Sequence, residues 1–344
     1  MKHLRIWITL FGVATLGAFV ASCLAPDTTM QLAPVREESL TAISRAAVPS
    51  ATPTAPCDVV PSLAPDRPTI PAPSAIPQFT LSPIPTLGTA ASDLVDAKFY
   101  SKLIGKEMNV LVYLPPGYHT STQRYPVIYM LSGFGGDYRE WAIYGLCRVL
   151  DALVRNGQAQ PMILAMPEGA FSYWFNHAPA PGSDGKPYGD YVWREVVQFM
   201  DTNYRTLPRR ESRAIGGLSA GGQGALMLGL THPEVFSTVG AHSPSFRGAD
   251  GSLPFFGSPE YFKQYDPAWL IENTTTWKQL TLWMDMGHED KQWGGVIQEM
   301  HTRWERLGVP HEFQDTWPGV HDADYWSAHT PDYLRWYSRN LEGE

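Results

Sequence analysis

Cysteine is scarce in this chain of 344 residues: there are 3, at positions 23, 57 and 147. Their spacing matches no metal-ligand pattern and no dense disulfide framework. No His-Glu-x-x-His run and no Cys/His cluster occurs, so neither a metal nor any other cofactor is expected. Positive charge is also in short supply. Lys and Arg number 26 against 34 Asp and Glu, a formal net charge of −8. Without a basic face or a long run of one sign, a nucleic-acid partner is not expected. No segment repeats internally, which sets aside propeller and solenoid architectures. The apolar run from Ile6 to Val20 is short for a stable membrane span. Aromatic residues, by contrast, are plentiful, with 12 Trp, 16 Tyr and 14 Phe. Most such rings pack cores, but this many leave some for a ligand-facing surface.

Lys2, His3 and Arg5 precede the apolar run, which is a signal-peptide pattern. It ends in Val20-Ala21-Ser22-Cys23. That tetrapeptide resembles the bacterial lipobox, whose cysteine becomes the lipidated first residue of the mature protein. The resemblance implies export and attachment to a membrane through lipid on Cys23. The competing readings are an ordinary signal peptide cut after a small residue, which would leave the protein secreted, and an uncleaved anchor. From Leu24 to about Ser92, Pro, Ala, Thr and Ser dominate, as in Pro49-Ser50-Ala51-Thr52-Pro53. Such a segment buries too little apolar surface to offset its ordering entropy and is expected to be a disordered, extended spacer. The chain therefore reads as a signal peptide over 1–22, a linker over 23–92 and one large folded domain over 93–344. Cys57 falls in the linker and Cys147 in an expected helix. Two separate thiols are favoured over a disulfide, although export would permit one.

Within 93–344 the hydrophobic pattern predicts strands near 95–101, 107–114, 125–131, 162–166, 213–218, 237–241, 280–286 and 312–316. Helices are expected near 142–156, 189–204, 220–231, 291–307 and 331–341. Runs such as Val127-Ile128-Tyr129-Met130-Leu131 suit strands covered on both faces. Alternation of strand and helix after an antiparallel start gives an α/β class with a mostly parallel central sheet and helices on both faces. Residues 246–276, rich in Phe, Tyr and Trp, are a candidate lid.

The heptapeptide Gly217-Leu218-Ser219-Ala220-Gly221-Gly222-Gln223 carries the most chemistry. It fits G-x-S-x-G between an expected strand and an expected helix. A serine on so tight a turn is held clear of the backbone, and the flanking glycines let strand and helix approach. A serine hydroxyl needs a base to take its proton, and the base needs a carboxylate to orient it. Asp290, in Gly287-His288-Glu289-Asp290, and His321, in Pro318-Gly319-Val320-His321, each follow an expected strand, in the order Ser, acid, His. Asp285 is the rival acid, but it falls inside the strand.

Together with Ser132-Gly133-Phe134-Gly135-Gly136 and Tyr325-Trp326, these pieces resemble the esterase D and enterochelin esterase-like branch of the α/β hydrolases. That branch includes feruloyl esterases, S-formylglutathione hydrolases and antigen 85-type mycolyltransferases. The resemblance spans nearly all of 95–340. It implies an α/β-hydrolase fold, with Ser219 as nucleophile, Asp290 as acid and His321 as base. It also implies oxyanion donors from the backbone N–H groups of Phe134 and Ala220. Many members carry His-Gly where this chain has Ser132-Gly133.

Trp174 and Asn176, past the 162–166 strand, and His242, past the 237–241 strand, are candidate substrate contacts. Loop packing is the competing role for each. Asp190 and Glu195 read as structural, His288 as solvent-facing and Ser132 as a loop-positioning residue. The leading function is an exported serine esterase acting on a small-molecule or glycan-linked ester. An acyltransferase using a sugar or lipid hydroxyl keeps the same residues. A non-catalytic binding lipoprotein is disfavoured by the intact Ser, Asp and His.

Overall fold

A computed structural model describes residues 92–344. The signal peptide, Cys23, Cys57 and nearly all of the linker lie outside the described residues. Among the described residues eight strands form one sheet: β1 (Asp93–Ser101), β2 (Lys106–Leu114), β3 (Val127–Leu131), β4 (Ile163–Pro167), β5 (Arg213–Ser219), β6 (Thr238–Pro244), β7 (Thr281–Asp285) and β8 (Glu312–Gln314). Their order is β1-β2-β4-β3-β5-β6-β7-β8. β1 pairs antiparallel with β2, and β2 with β4; every later pairing is parallel. The mostly parallel sheet with an antiparallel start is thus present. Every residue of β3, β4 and β6 is buried, as expected where helices cover both faces of a parallel sheet. The edge strand β1 alternates exposed and half-buried residues.

The helices are α1 (Glu140–Ile143), α2 (Leu146–Arg155), α3 (Tyr188–Asp190), α4 (Val197–Asn203), α5 (Ala220–Thr231), α6 (Pro259–Phe262), α7 (Pro267–Asn273), α8 (Gly294–Leu307) and α9 (Ala323–Asn340). A π-helical segment, Tyr191–Val196, joins α3 to α4. Side chains of β2 divide between two apolar cores. Val110, Val112 and Leu114 join α5 and α8 in one, and Leu111 and Tyr113 join α2 and α9 in the other. Helix α5 is buried from Ala220 to Leu230. A helix buried all round needs small apolar residues rather than a polar face, and this explains its composition.

Helix α9 corrects the expected start at residue 331. It begins at Ala323, because Asp322 caps it by accepting the Tyr325 N–H. Pro331 sits inside the helix. A proline there cannot bond the carbonyl four residues back. The Ser327 carbonyl instead accepts the Thr330 hydroxyl at 3.0 Å.

Candidate active site

Ser219 ends β5 and precedes α5 with φ 55 and ψ −119. A side chain in that region is strained. A Cβ on Gly217 would meet the Gly221 backbone, and one on Gly221 would meet the carbonyls of Leu131 and Ser132. The two glycines therefore let β5, the turn and α5 close around Ser219. His321 approaches from the loop between β8 and α9, with Nε2 2.8 Å from Ser219 Oγ. Its Nδ1 lies 3.4 Å from Asp290 Oδ2.

Asp290 follows β7 on a turn closed by its N–H to the Gly287 carbonyl at 3.0 Å. That turn packs on the one before His321. His288 N–H donates to the Trp317 carbonyl at 2.7 Å, and Glu289 N–H to the Gly319 carbonyl at 3.0 Å. Two loops separated in sequence thereby act as one unit that holds acid and base together. The Oδ1 atom of Asp290 accepts the N–H groups of Gln292 and Trp293 at 2.9 and 2.8 Å. Burial alone would raise the Asp290 carboxyl. The neighbouring His321 ring and these N–H groups outweigh burial and hold the carboxyl below its usual range.

Asp285, the rival acid, is fully buried inside β7. Its Oδ1 accepts the hydroxyls of Tyr325 and Tyr333, at 2.8 and 3.1 Å. Its Oδ2 accepts the Trp283 indole and His242 Nδ1, at 2.7 and 2.9 Å. No bond to His321 is among them.

The loop carrying Phe134 is pinned from three sides. Trp141 Nε1 donates to the Leu131 carbonyl and Trp174 Nε1 to the Ser132 carbonyl, both at 2.9 Å. Gly133 N–H donates to Glu140 Oε2 at 2.8 Å. Phe134 is 41% exposed and Phe171 64%. Phe171 and Tyr173 each lie 5.2 Å from Phe134, and Phe255 at 6.3 Å. An apolar aromatic wall thus rises from the loop that carries Phe134. Phe255 comes from the aromatic stretch read as a lid, which is a helical insertion between β6 and β7. A separate cavity of about 190 Å³ lies between α5, α7 and α8, lined by Gln223, Arg247 and Arg303; neither Ser219 nor His321 lines it.

The three candidate substrate contacts are committed elsewhere. His242 is fully buried, tied to Asp285 and, through Nε2, to the Tyr337 hydroxyl at 2.9 Å. Trp174, at φ 66, turns its ring inward against Gly169 and Gly224. Asn176 makes two side-chain bonds to Asp190, at 2.9 and 3.0 Å. Glu195 accepts the N–H groups of Lys102 and Leu103 and so ties down the turn between β1 and β2. His288 is exposed. Cys147 is free, and burial pushes its thiol up to about 12. Glu140, Phe171, Phe255 and Ser243 border the site without having been singled out in the sequence. Only Glu140, close behind the Gly-rich loop, carried a signal there.

The Esterase family model ("Putative esterase") matches residues 101–337. An acetyl esterase of Caldicellulosiruptor saccharolyticus is 27% identical over 281 residues, covering 72% of this chain and 98% of that one. An esterase of Mycobacterium tuberculosis is 27% identical over 146 residues, or 42% of this chain. This chain spans only 31% of the length of that relative. The solved structure of a ferulic acid esterase superposes with a TM-score of 0.65 at 24% identity, covering 73% of this chain and 99% of that one. The fold is shared with it.

Proposed function

This chain belongs to the Esterase family, and on that premise we propose that it hydrolyses carboxylic esters through an acyl-enzyme on Ser219. The observation that carries the reading is the 2.8 Å hydrogen bond from Ser219 Oγ to His321 Nε2, at a serine held in strained backbone. As Oγ attacks the ester carbonyl, its proton passes to Nε2. The new oxyanion takes the N–H groups of Phe134 and Ala220, the latter at the positive end of α5. Collapse breaks the ester C–O bond, and the alcohol leaves with the proton from Nε2. Water then repeats the attack and releases the acid. Asp290 holds the imidazole and balances its charge.

The exposed rings of Phe134 and Phe171 support an apolar or aryl acyl group. The likeness to a ferulic acid esterase points the same way. We further propose export and lipid attachment at Cys23, on the strength of Lys2, Arg5, the apolar run and Val20-Ala21-Ser22-Cys23.

Hydrolysis of a panel of p-nitrophenyl and feruloyl esters by the purified chain, with fluorophosphonate labelling mapped by mass spectrometry, tests the chemistry. Labelling at Ser219 is expected. Hydrolysis without modification of Ser219 would refute the assignment. Mass spectrometry of the mature N-terminus tests the anchor. An unmodified Cys23 in the mature chain would refute the lipid claim and leave the esterase reading intact.

A further inference from the structure

Ser243 lies near the end of β6 with no solvent exposure and φ 45. Glycine would occupy that conformation with less strain. The serine hydroxyl points at the acid and the base together. Its Oγ is 3.0 Å from His321 Nδ1 and 3.4 Å from Asp290 Oδ2. The direct approach of Nδ1 to Oδ2 is also 3.4 Å, so Ser243 is the nearer partner of the imidazole. Asp290 Oδ1 is already occupied by two backbone N–H groups, leaving Oδ2 to face the base. When Nε2 accepts the Ser219 proton, Nδ1 carries the other ring proton and needs an acceptor. Two residues further on, the Ser245 N–H donates to the Ser219 carbonyl at 3.0 Å. The end of β6 therefore touches nucleophile, base and acid at once.

We propose that Ser243 is a positioning residue that bridges base and acid: its Oγ accepts Nδ1–H of His321 and donates its own proton to Asp290 Oδ2. A hydroxyl that donates to a carboxylate is polarised and becomes a better acceptor, so the bridge passes the negative charge of Asp290 on to the imidazole. Strain at a buried, non-glycine position is retained where the side chain serves the site. The proposal rests on the reading of His321 as the base of a Ser219 esterase.

The test compares Ser243→Gly and Ser243→Ala, alone and combined with Asp290→Asn, in the full chain with p-nitrophenyl acetate. Glycine relieves the backbone strain while removing the hydroxyl, so its thermal midpoint should not fall below that of the wild type. Its kcat should fall about tenfold to a hundredfold, the worth of a hydrogen bond to a charged group, with KM within about threefold. The Ser243→Gly/Asp290→Asn double variant should be no worse than Asp290→Asn alone, within about threefold, because both remove one path. Losses that multiply, or an unchanged kcat in Ser243→Gly, would overturn the bridge. A second readout needs no turnover. The Nδ1 proton resonance of His321 should move upfield in Ser243→Gly, and a resonance that stays put or moves downfield refutes the proposal. If the wild type hydrolyses no ester, the Ser219 reading fails, while this resonance still decides on Ser243.

Discussion

The carboxylate of Glu140 holds the backbone of Gly133: Oε2 accepts its N–H at 2.8 Å, one residue before Phe134. The same oxygen fills the space where a Cβ on Gly136 would stand. Burial raises the Glu140 carboxyl above its ordinary range, against the hydrogen bonds from Gly133 and Tyr144. A carboxyl whose folded-state value is raised adds stability below its unfolded value of about 4.3 and loses it as pH climbs past the folded one. Glu140→Gln keeps an acceptor and carries no charge. Its thermal midpoint should equal or exceed that of the wild type at pH 7, and the difference should grow as pH rises from about 4.3. Its kcat should stay within about threefold. Glu140→Ala leaves the Gly133 N–H unpaired and should lower kcat about tenfold or more, the equivalent of about 1.5–3 kcal/mol. Midpoints across pH 4–8 alongside kcat decide it, and a less stable Gln variant at pH 7 would contradict it.

Ser219→Ala should abolish ester hydrolysis without unfolding the chain. Loss of a nucleophile paired to a base removes on the order of 10³–10⁶ in kcat. The change removes only Oγ; the Cβ stays at φ 55, so the backbone strain is kept and no bulk is added. Turnover is measured against far-ultraviolet circular dichroism. A folded variant that retained more than about a tenth of wild-type kcat would exclude Ser219 as nucleophile.

The strands were legible because apolar runs such as Val127–Leu131 are too short for a buried helix and suit a strand covered on both faces. Ser219, Asp290 and His321 stand in the sequence at or just past the ends of expected strands, and the structure brings the three side chains together. What a sequence does not carry is which way a side chain faces. Trp174 follows β4, whereas β6 runs on to Pro244 and so holds His242 inside the strand rather than past it; Trp174 turns inward at φ 66 and His242 points into a polar cluster of β7 and α9. Ser243 was hidden for the same reason, since only the fold brings the end of β6 against loops 290 and 321. The start of α9 was misplaced because Pro331 resembles a first-turn proline. Asp322 is the actual cap, and Thr330 compensates the carbonyl that Pro331 leaves without its partner.

Asp290→Asn should lower kcat by about 10³–10⁴, as for a carboxylate that sets the tautomer of a catalytic imidazole. Asp290 also bears on acid stability. Its folded-state value is depressed, so its contribution is present above the unfolded value of about 3.9 and is lost as pH falls through the folded one. The stability gap between wild type and Asp290→Asn should therefore hold from pH 7 to about 4 and shrink below. Urea midpoints at stepped pH check this, and a gap that widened in acid would be inconsistent with it.

Asp285 should behave in the opposite manner, costing folding before chemistry. It is fully buried and accepts four hydrogen bonds, from Tyr325, Tyr333, Trp283 and His242. These partners tie β6 and β7 to α9, the helix that follows the His321 loop. Asparagine offers one acceptor oxygen where the carboxylate offers two, and sets an N–H₂ group against donors. Removing one member of so buried a network costs about 3–5 kcal/mol. For a domain of this size that lowers the thermal midpoint by on the order of 10 °C. The fraction of Asp285→Asn that remains folded should keep kcat within about tenfold of the wild type, since none of the four bonds reaches Ser219 or His321. Calorimetry and active-site titration on the same sample separate the two effects. A variant of normal stability with kcat reduced as far as in Asp290→Asn would move the acid from residue 290 to residue 285.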